Sequence, residues 1–265
     1  SMAGAPIIED DMSGVFDLTD KIAVVTGAGR GLGAEMAKAL AAAGARVTLA
    51  GRSPEPLERV ATIIRDAGGH ADCAPCDITR ADDVQALVEG VLARNGRIDI
   101  LVNNAGINSW APLTDVTDSD WHRMLDTHMT GPFLACRAVL PGMIAQGGGK
   151  IVNTVSVAAQ LGRSNVVPYS AAKGGLAMMT RGLAAEVAGK NIQVNGIGPG
   201  YFLTEMNRQI MDDQAAYEAR VARIPAGRWG DPDELHGTIV FLASRASDYV
   251  SGQVIFVDGG LSTSF

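Results

Sequence analysis

Apolar runs of strand length alternate with helically spaced apolar positions along this chain from Ile22 onward. Strands are expected at Ile22–Thr26, Arg46–Ala50, Ala71–Cys76, Ile100–Asn103, Lys150–Val155, Ile192–Ile197 and Val254–Val257. Most are near-continuous Val/Ile/Leu stretches without in–out alternation, the pattern of strands buried on both faces. Between them, Leu32, Met36, Leu40 and Ala43 recur at helical spacing, as do Ala172, Leu176, Met179, Leu183 and Val187. Strand–helix alternation of this kind predicts an α/β protein: a doubly wound, seven-stranded parallel sheet flanked by helices. Pro75 cannot donate a ladder hydrogen bond, so the third strand is expected at a sheet edge. With no internal repeat and no low-complexity linker, residues 18–265 read as a single domain. Residues 1–17 read as a flexible N-terminal arm; Glu9, Asp10 and Asp11 give it the wrong charge for a signal peptide, and Ser1-Met2 is expected to be a cloning scar.

Composition narrows the function classes. The formal charge of -7 argues against tracking a phosphate backbone, and no apolar run reaches membrane-spanning length. Cys73-Ala74-Pro75-Cys76 has the spacing of a thiol-redox motif but lies in a strand-like stretch, away from the helix N-terminus that thiolate chemistry needs. Structural burial is the expected role, which implies a reducing, cytoplasmic setting. His70, His122, His128 and His236 show no ligand spacing, so no metal is expected. Met124, Met129, Met143, Met178 and Met179 read as core filler.

The chemistry begins at Gly27-Ala28-Gly29-Arg30-Gly31-Leu32-Gly33, which follows a strand and opens a helix. Gly27 permits a sharp turn, while Gly31 and Gly33 let the backbone approach a pyrophosphate and the helix pack on the sheet. Its glycines are spaced G-x-x-x-G-x-G, unlike the commoner G-x-G-x-x-G, but a strand before and a helix after make a Rossmann-type phosphate-binding turn the expected reading over a plain glycine-rich turn. At the end of the second strand, where an NAD-selective site places a carboxylate, stands Gly51, followed by Arg52. With Arg30 in the nearby loop, two cations and no anion favour a 2′-phosphate, hence NADP(H) over NAD(H). Asp77-Ile78 ends the third strand, where the carboxylate can accept from an adenine amino group or cap the helix from Arg80 onward.

Tyr169 and Lys173 lie four apart at the start of a helix and share one face. A free phenol has a pKa of about 10. An ammonium one turn away, together with the charge of an oxidised nicotinamide, favours the phenolate, which can take a proton from an alcohol or return one to a carbonyl. Ser156, at a strand end, can hydrogen-bond the same oxygen. With these residues the chain resembles the short-chain dehydrogenase/reductase family over essentially residues 18–262. The resemblance implies that Ser156 orients the substrate, that Tyr169 is the acid/base, and that Lys173 holds the nicotinamide ribose while tuning the tyrosine. It assigns Asn104, Ala105 and Gly106 to cofactor packing, and Pro199, Gly200, Phe202 and Thr204 to a nicotinamide-carboxamide clamp. One position departs: His128 stands where the family usually carries an asparagine, whose region holds a backbone-bound water that continues a proton relay. Histidine titrates near pH 6.5; a relay role and a packing role both remain open.

Within the family, Asn191–Phe202, Pro225–Gly230 and Ser247–Val250 are similar to gluconate 5-dehydrogenases and 2-dehydro-3-deoxygluconate dehydrogenases. The loops Val157–Pro168 and Leu203–Ile224 are expected to set specificity, with Arg163, Asn165, Asn207 and Arg208 suited to a polyol acid. A 3-oxoacyl or steroid-type reductase shares every motif, and a catalytically silent NADPH sensor is a third reading. The resemblance also implies a homotetramer, with Ala171, Ala172, Gly174, Gly175 and Ala177 allowing close helix approach.

Overall fold

The computed structural model describes residues 12–263. Seven strands, β1 (Ile22–Thr26), β2 (Arg46–Gly51), β3 (His70–Pro75), β4 (Ile100–Asn103), β5 (Gly149–Thr154), β6 (Ile192–Pro199) and β7 (Val254–Val257), form one parallel sheet in the order β3-β2-β1-β4-β5-β6-β7. Every residue of β1 and β6 is buried, as strands covered on both faces must be. β3 is one of the two edge strands, and Pro75 lies opposite Gly51 at its end, so its missing N–H faces no further strand. All seven expected strands are present with ends shifted by at most two residues; β3 and β5 begin and end one residue earlier than the apolar pattern suggests.

The helices are α1 (Gly31–Ala42), α2 (Pro54–Asp66), α3 (Ala81–Asn95), α4 (Asp118–Leu125), α5 (Gly131–Ala145), α6 (Val167–Val187), α7 (Arg208–Met211), α8 (Gln214–Val221) and α9 (His236–Ala243). Alternate residues of β1 feed two cores. Ala23 and Val25 pack with Met36 and Leu40 of α1, Leu57 of α2 and Leu242 of α9. Ile22 and Val24 pack with Val88 of α3, Val139 of α5 and Val187 of α6 on the opposite face. A smaller cluster around Ile210, Ile224, Trp229 and Leu261 anchors α7 and α8 outside the sheet.

Two sequence expectations change here. Met124 and Met143 are core residues, but Met178 is 61% exposed on α6; two residues from the inward-facing Leu176 and Thr180, it falls on the other side of a 3.6-residue turn. Cys73 is only partly buried, donating to Glu58 Oε2 at 3.3 Å, whereas Cys76 is fully buried; both are free thiols. Burial pushes each up to about 11, so neither is a thiolate near neutrality. Of the expected N-terminal arm, residues 1–11 lie outside the described residues, while Met12–Phe16 form a short 3-10 turn leading to the buried Leu18.

Candidate active site

Strand order reverses between β1 and β4, which opens a crevice beyond their carboxyl ends. The loop after β1 enters it in a conformation only glycine adopts easily: φ is +65° at Gly27 and +55° at Gly31. A Cβ at Gly33 would lie 2.3 Å from both Asn104 Nδ2 and Gly27 O, so helix and strand ends meet in direct backbone contact. A Cβ at Gly31 would meet nothing nearer than Thr204 at 3.8 Å, which leaves open space at the start of α1. No side chain caps that helix at Arg30. Its first N–H groups are therefore left free to meet an anion such as a pyrophosphate.

Asn104 fastens the two halves of the crevice. Its amide donates to Thr26 O at 3.1 Å and Gly27 O at 3.2 Å, and its backbone N–H donates to Thr26 Oγ1 at 2.9 Å. At the β2 end, Arg52 is exposed and forms no ion pair among the described residues. Asp77 Oδ1 accepts from Thr79 N at 3.0 Å and Thr79 Oγ1 at 2.8 Å. The bond from the Thr79 N–H, with the Arg52 and Arg80 charges adding to it, holds its carboxyl below the usual range. α3 receives no side-chain cap, so Asp77 turns the chain without capping that helix. Arg30 is not without an anion: Glu205 lies 3.7 Å away across the cleft, with both side chains largely exposed. That carboxylate, far off in sequence, was invisible to the charge pattern of the loop.

The opposite wall comes from the end of β5 and the first turns of α6. A buried polar chain sets α6 against the sheet: Asn103 Nδ2 donates to Asn153 Oδ1 and Asn153 Nδ2 to Thr180 Oγ1, both at 2.9 Å. Lys173 is buried, donates to Thr154 O at 2.5 Å and sits 5.6 Å from the centre of the Tyr169 ring. Ser156 Oγ accepts from Ala158 N at 3.1 Å, which leaves the hydroxyl proton to be given elsewhere. Burial lowers Lys173 to about 7. Burial raises Tyr169, and the nearby Ser156 hydroxyl reverses only part of that. Among the protein's own groups desolvation dominates and keeps the phenol protonated.

α4 and α5 run on through a π-helical turn, Asp126–Thr130, that carries His128. Pro132 accounts for the turn: it cannot donate to the His128 carbonyl four residues back, so the ordinary helical bond is lost there. The His128 ring is buried, edge-on to Tyr169 with centroids 5.2 Å apart, and Nε2 lies 2.8 Å from Ile107 O and 3.1 Å from Ile107 N. Nδ1 has no hydrogen-bond partner among the described residues. Burial first, then the Lys173 charge, push His128 down to about 3, so it stays neutral where a free imidazole titrates.

All nominated cofactor and catalytic residues, from Gly27 to Thr204, line one cleft of about 710 Å³. Arg163 and Asn207 also reach it, whereas Asn165 and Arg208 do not. Asn207 Nδ2 is spent on Phe202 O at 2.9 Å, and Asn165 holds a left-handed turn at φ +65°. Trp110 and Arg223 line the cleft without having been singled out, and no local motif marks them; Tyr201, inside the Pro199–Thr204 stretch, joins them there.

The profile of a family described as enoyl-(acyl carrier protein) reductase matches residues 27–262. The chain belongs to the short-chain dehydrogenase/reductase family. It is a short-chain alcohol dehydrogenase/ketoreductase, 40% identical over 250 residues to the 5-keto-D-gluconate 5-reductase of Escherichia coli (strain K12), covering 94% of this chain and 98% of that one. It is 43% identical over 253 residues to the gluconate 5-dehydrogenase of Gluconobacter oxydans (strain 621H), covering 94% and 98%. The crystal structure of a gluconate 5-dehydrogenase from Burkholderia cenocepacia J2315, in complex with NADP and tartrate, superposes with a TM-score of 0.93 at 45% identity, covering 96% of this chain and 100% of that one. Among the described residues of this dehydrogenase, no helix is long and apolar enough to cross a membrane, and no cluster of three or more His, Cys, Asp or Glu is placed to hold a metal.

Proposed function

We propose that the protein interconverts a secondary alcohol and a ketone on a sugar acid, gluconate and 5-ketogluconate, with NADP(H). The observation that carries this reading is the convergence of Ser156, Tyr169 and Lys173 with an open glycine cradle and an unpaired Arg52 in a single cleft. The relatives named for gluconate and 5-ketogluconate support the substrate, and the NADP bound by one of them supports the cofactor. Arg30, Gly31, Leu32 and Gly33 hold the pyrophosphate end; Arg52 meets the 2′-phosphate; Asp77 and Ile78 border the adenine. The bound nicotinamide supplies or accepts the hydride. Ser156 gives its free hydroxyl proton to the substrate oxygen. Tyr169 donates its proton to that oxygen in reduction and takes it in oxidation. Lys173, fixed on Thr154 O, holds the ribose and resupplies the tyrosine. The His128 carbonyl, to which Pro132 cannot donate, anchors the water that carries the proton onward.

The protein acts as a cytoplasmic homotetramer in this reading. Phe133 on α5 and Met178 on α6 stand 47% and 61% exposed, as residues of a subunit contact would in a single chain. Initial rates with NADPH and NADH, on 5-ketogluconate and on an acetoacetyl thioester, test the assignment. Preference for NADPH and for the sugar acid is expected; preference for the thioester would transfer the protein to the 3-oxoacyl reductases, and tight NADPH binding without turnover of either would leave a sensor.

A further inference from the structure

Three guanidiniums gather on one side of the cleft in a chain whose net charge is -7. Arg163 lies with its Cζ 4.1 Å from the centre of the Trp110 ring and 5.4 Å from that of Tyr201. Tyr201 is in turn stacked on the buried Trp229, with centroids 5.1 Å apart and planes at 21°. Arg220 approaches Trp110 as well, at 5.6 Å. Arg163 and Arg223 both line the cleft that holds Ser156 and Tyr169. Among the described residues none of the three pairs with a carboxylate, the Arg163 side chain meets no hydrogen-bond acceptor, and Arg220 Nε is buried without one. Partial burial lowers Arg163 first, and the charges of Arg220 and Arg223 lower it further, so the group is under strain from desolvation and like charge together.

Such a cluster is unfavourable by itself and is relieved by an anion. The aromatic rings also fix what kind. A guanidinium held over a ring face at 4.1 Å, with no acceptor of its own among the described residues, keeps its N–H groups free to meet both oxygens of a carboxylate. We propose that Arg163 and Arg223, braced by Trp110 and Arg220, form the receptor for a terminal carboxylate of the substrate, and that this charge, more than the hydroxyl pattern, selects sugar acids over neutral polyols. The proposal rests on the sugar-acid reading above and names the residues that enforce it.

The test compares D-gluconate with D-sorbitol, which has a hydroxymethyl group in place of the carboxylate, using NADP+ and following absorbance at the nicotinamide band. Where sorbitol is not turned over, its competitive inhibition constant replaces kcat/KM. The wild type is expected to prefer gluconate, and Arg163→Met and Arg223→Met each to reduce that preference about 10- to 100-fold, chiefly through KM. Arg163→Lys is expected to restore part of it, since charge returns without the stacked plane. Arg223 is exposed and makes no side-chain bond, so its variant remains informative if Arg163→Met fails to fold. An acid-over-polyol preference unchanged in both Met variants, or a wild type that prefers sorbitol, overturns the receptor. A wild type inactive on gluconate, yet selective for another sugar acid in a way that both variants abolish, supports the receptor while removing gluconate as substrate.

Discussion

His128 shows how a single side chain departs from what its type suggests. A histidine at this position invites an acid/base role near neutrality, but burial and the neighbouring Lys173 charge hold it neutral down to about pH 3. In the unfolded chain it regains a pKa of about 6.5. Between those values the unfolded state binds more protons than the folded one, so the group withdraws stability as pH falls below 6.5. Relative to His128→Asn, the wild type is expected to lose about 2 kcal/mol by pH 5, read from urea melts of both proteins at pH 7.5 and pH 5. Parallel losses in the two would mean that His128 titrates normally. Pro132, a residue no motif search emphasises, cannot donate to the His128 carbonyl. The residues proposed for proton transfer and cofactor binding were legible because their spacing is local: Tyr169 and Lys173 one helical turn apart, Gly27 to Gly33 in one loop. Trp110, Arg223 and Glu205 were not, because each acquires meaning only from partners distant in sequence.

Among the elements, α6 matters most, since it must present Tyr169 and Lys173 to the end of β5 in one register. The buried chain from Asn103 through Asn153 to Thr180, which in turn donates to Leu176 O, pins the helix to the sheet. Thr180→Val keeps the volume and strands the Asn153 amide, a loss expected to cost about 1–3 kcal/mol in chemical denaturation. A change under about 0.5 kcal/mol would show that the chain of amides does not fix the helix. Strand positions were readable to within two residues from buried apolar runs, and the edge place of β3 from Pro75. The π turn between α4 and α5 was not, because hydrophobic spacing continues through it and only the lost Pro132 donor betrays it.

At the scale of the whole molecule, one crevice runs from the β1–β4 reversal, the proposed dinucleotide end, to Arg163, Arg223 and the loops after β4 and β5, the proposed substrate end. The two ends are charged alike: Arg30 and Arg52 at one, Arg163 and Arg223 at the other. Arg52→Ala is expected to lower the NADPH-over-NADH ratio of kcat/KM about 10- to 100-fold, as loss of a charge-assisted phosphate contact does; an unchanged ratio would place selectivity on Arg30 alone. Between the two ends, the account depends on proton transfer by the Tyr169 hydroxyl. The most direct measurement is NADP+-linked oxidation of D-gluconate by Tyr169→Phe, with NADPH affinity measured on the same sample. The expected result is a kcat lower by about 10²–10⁴-fold with NADPH binding retained. A variant that binds NADPH and turns over gluconate within a few-fold of the wild type contradicts it.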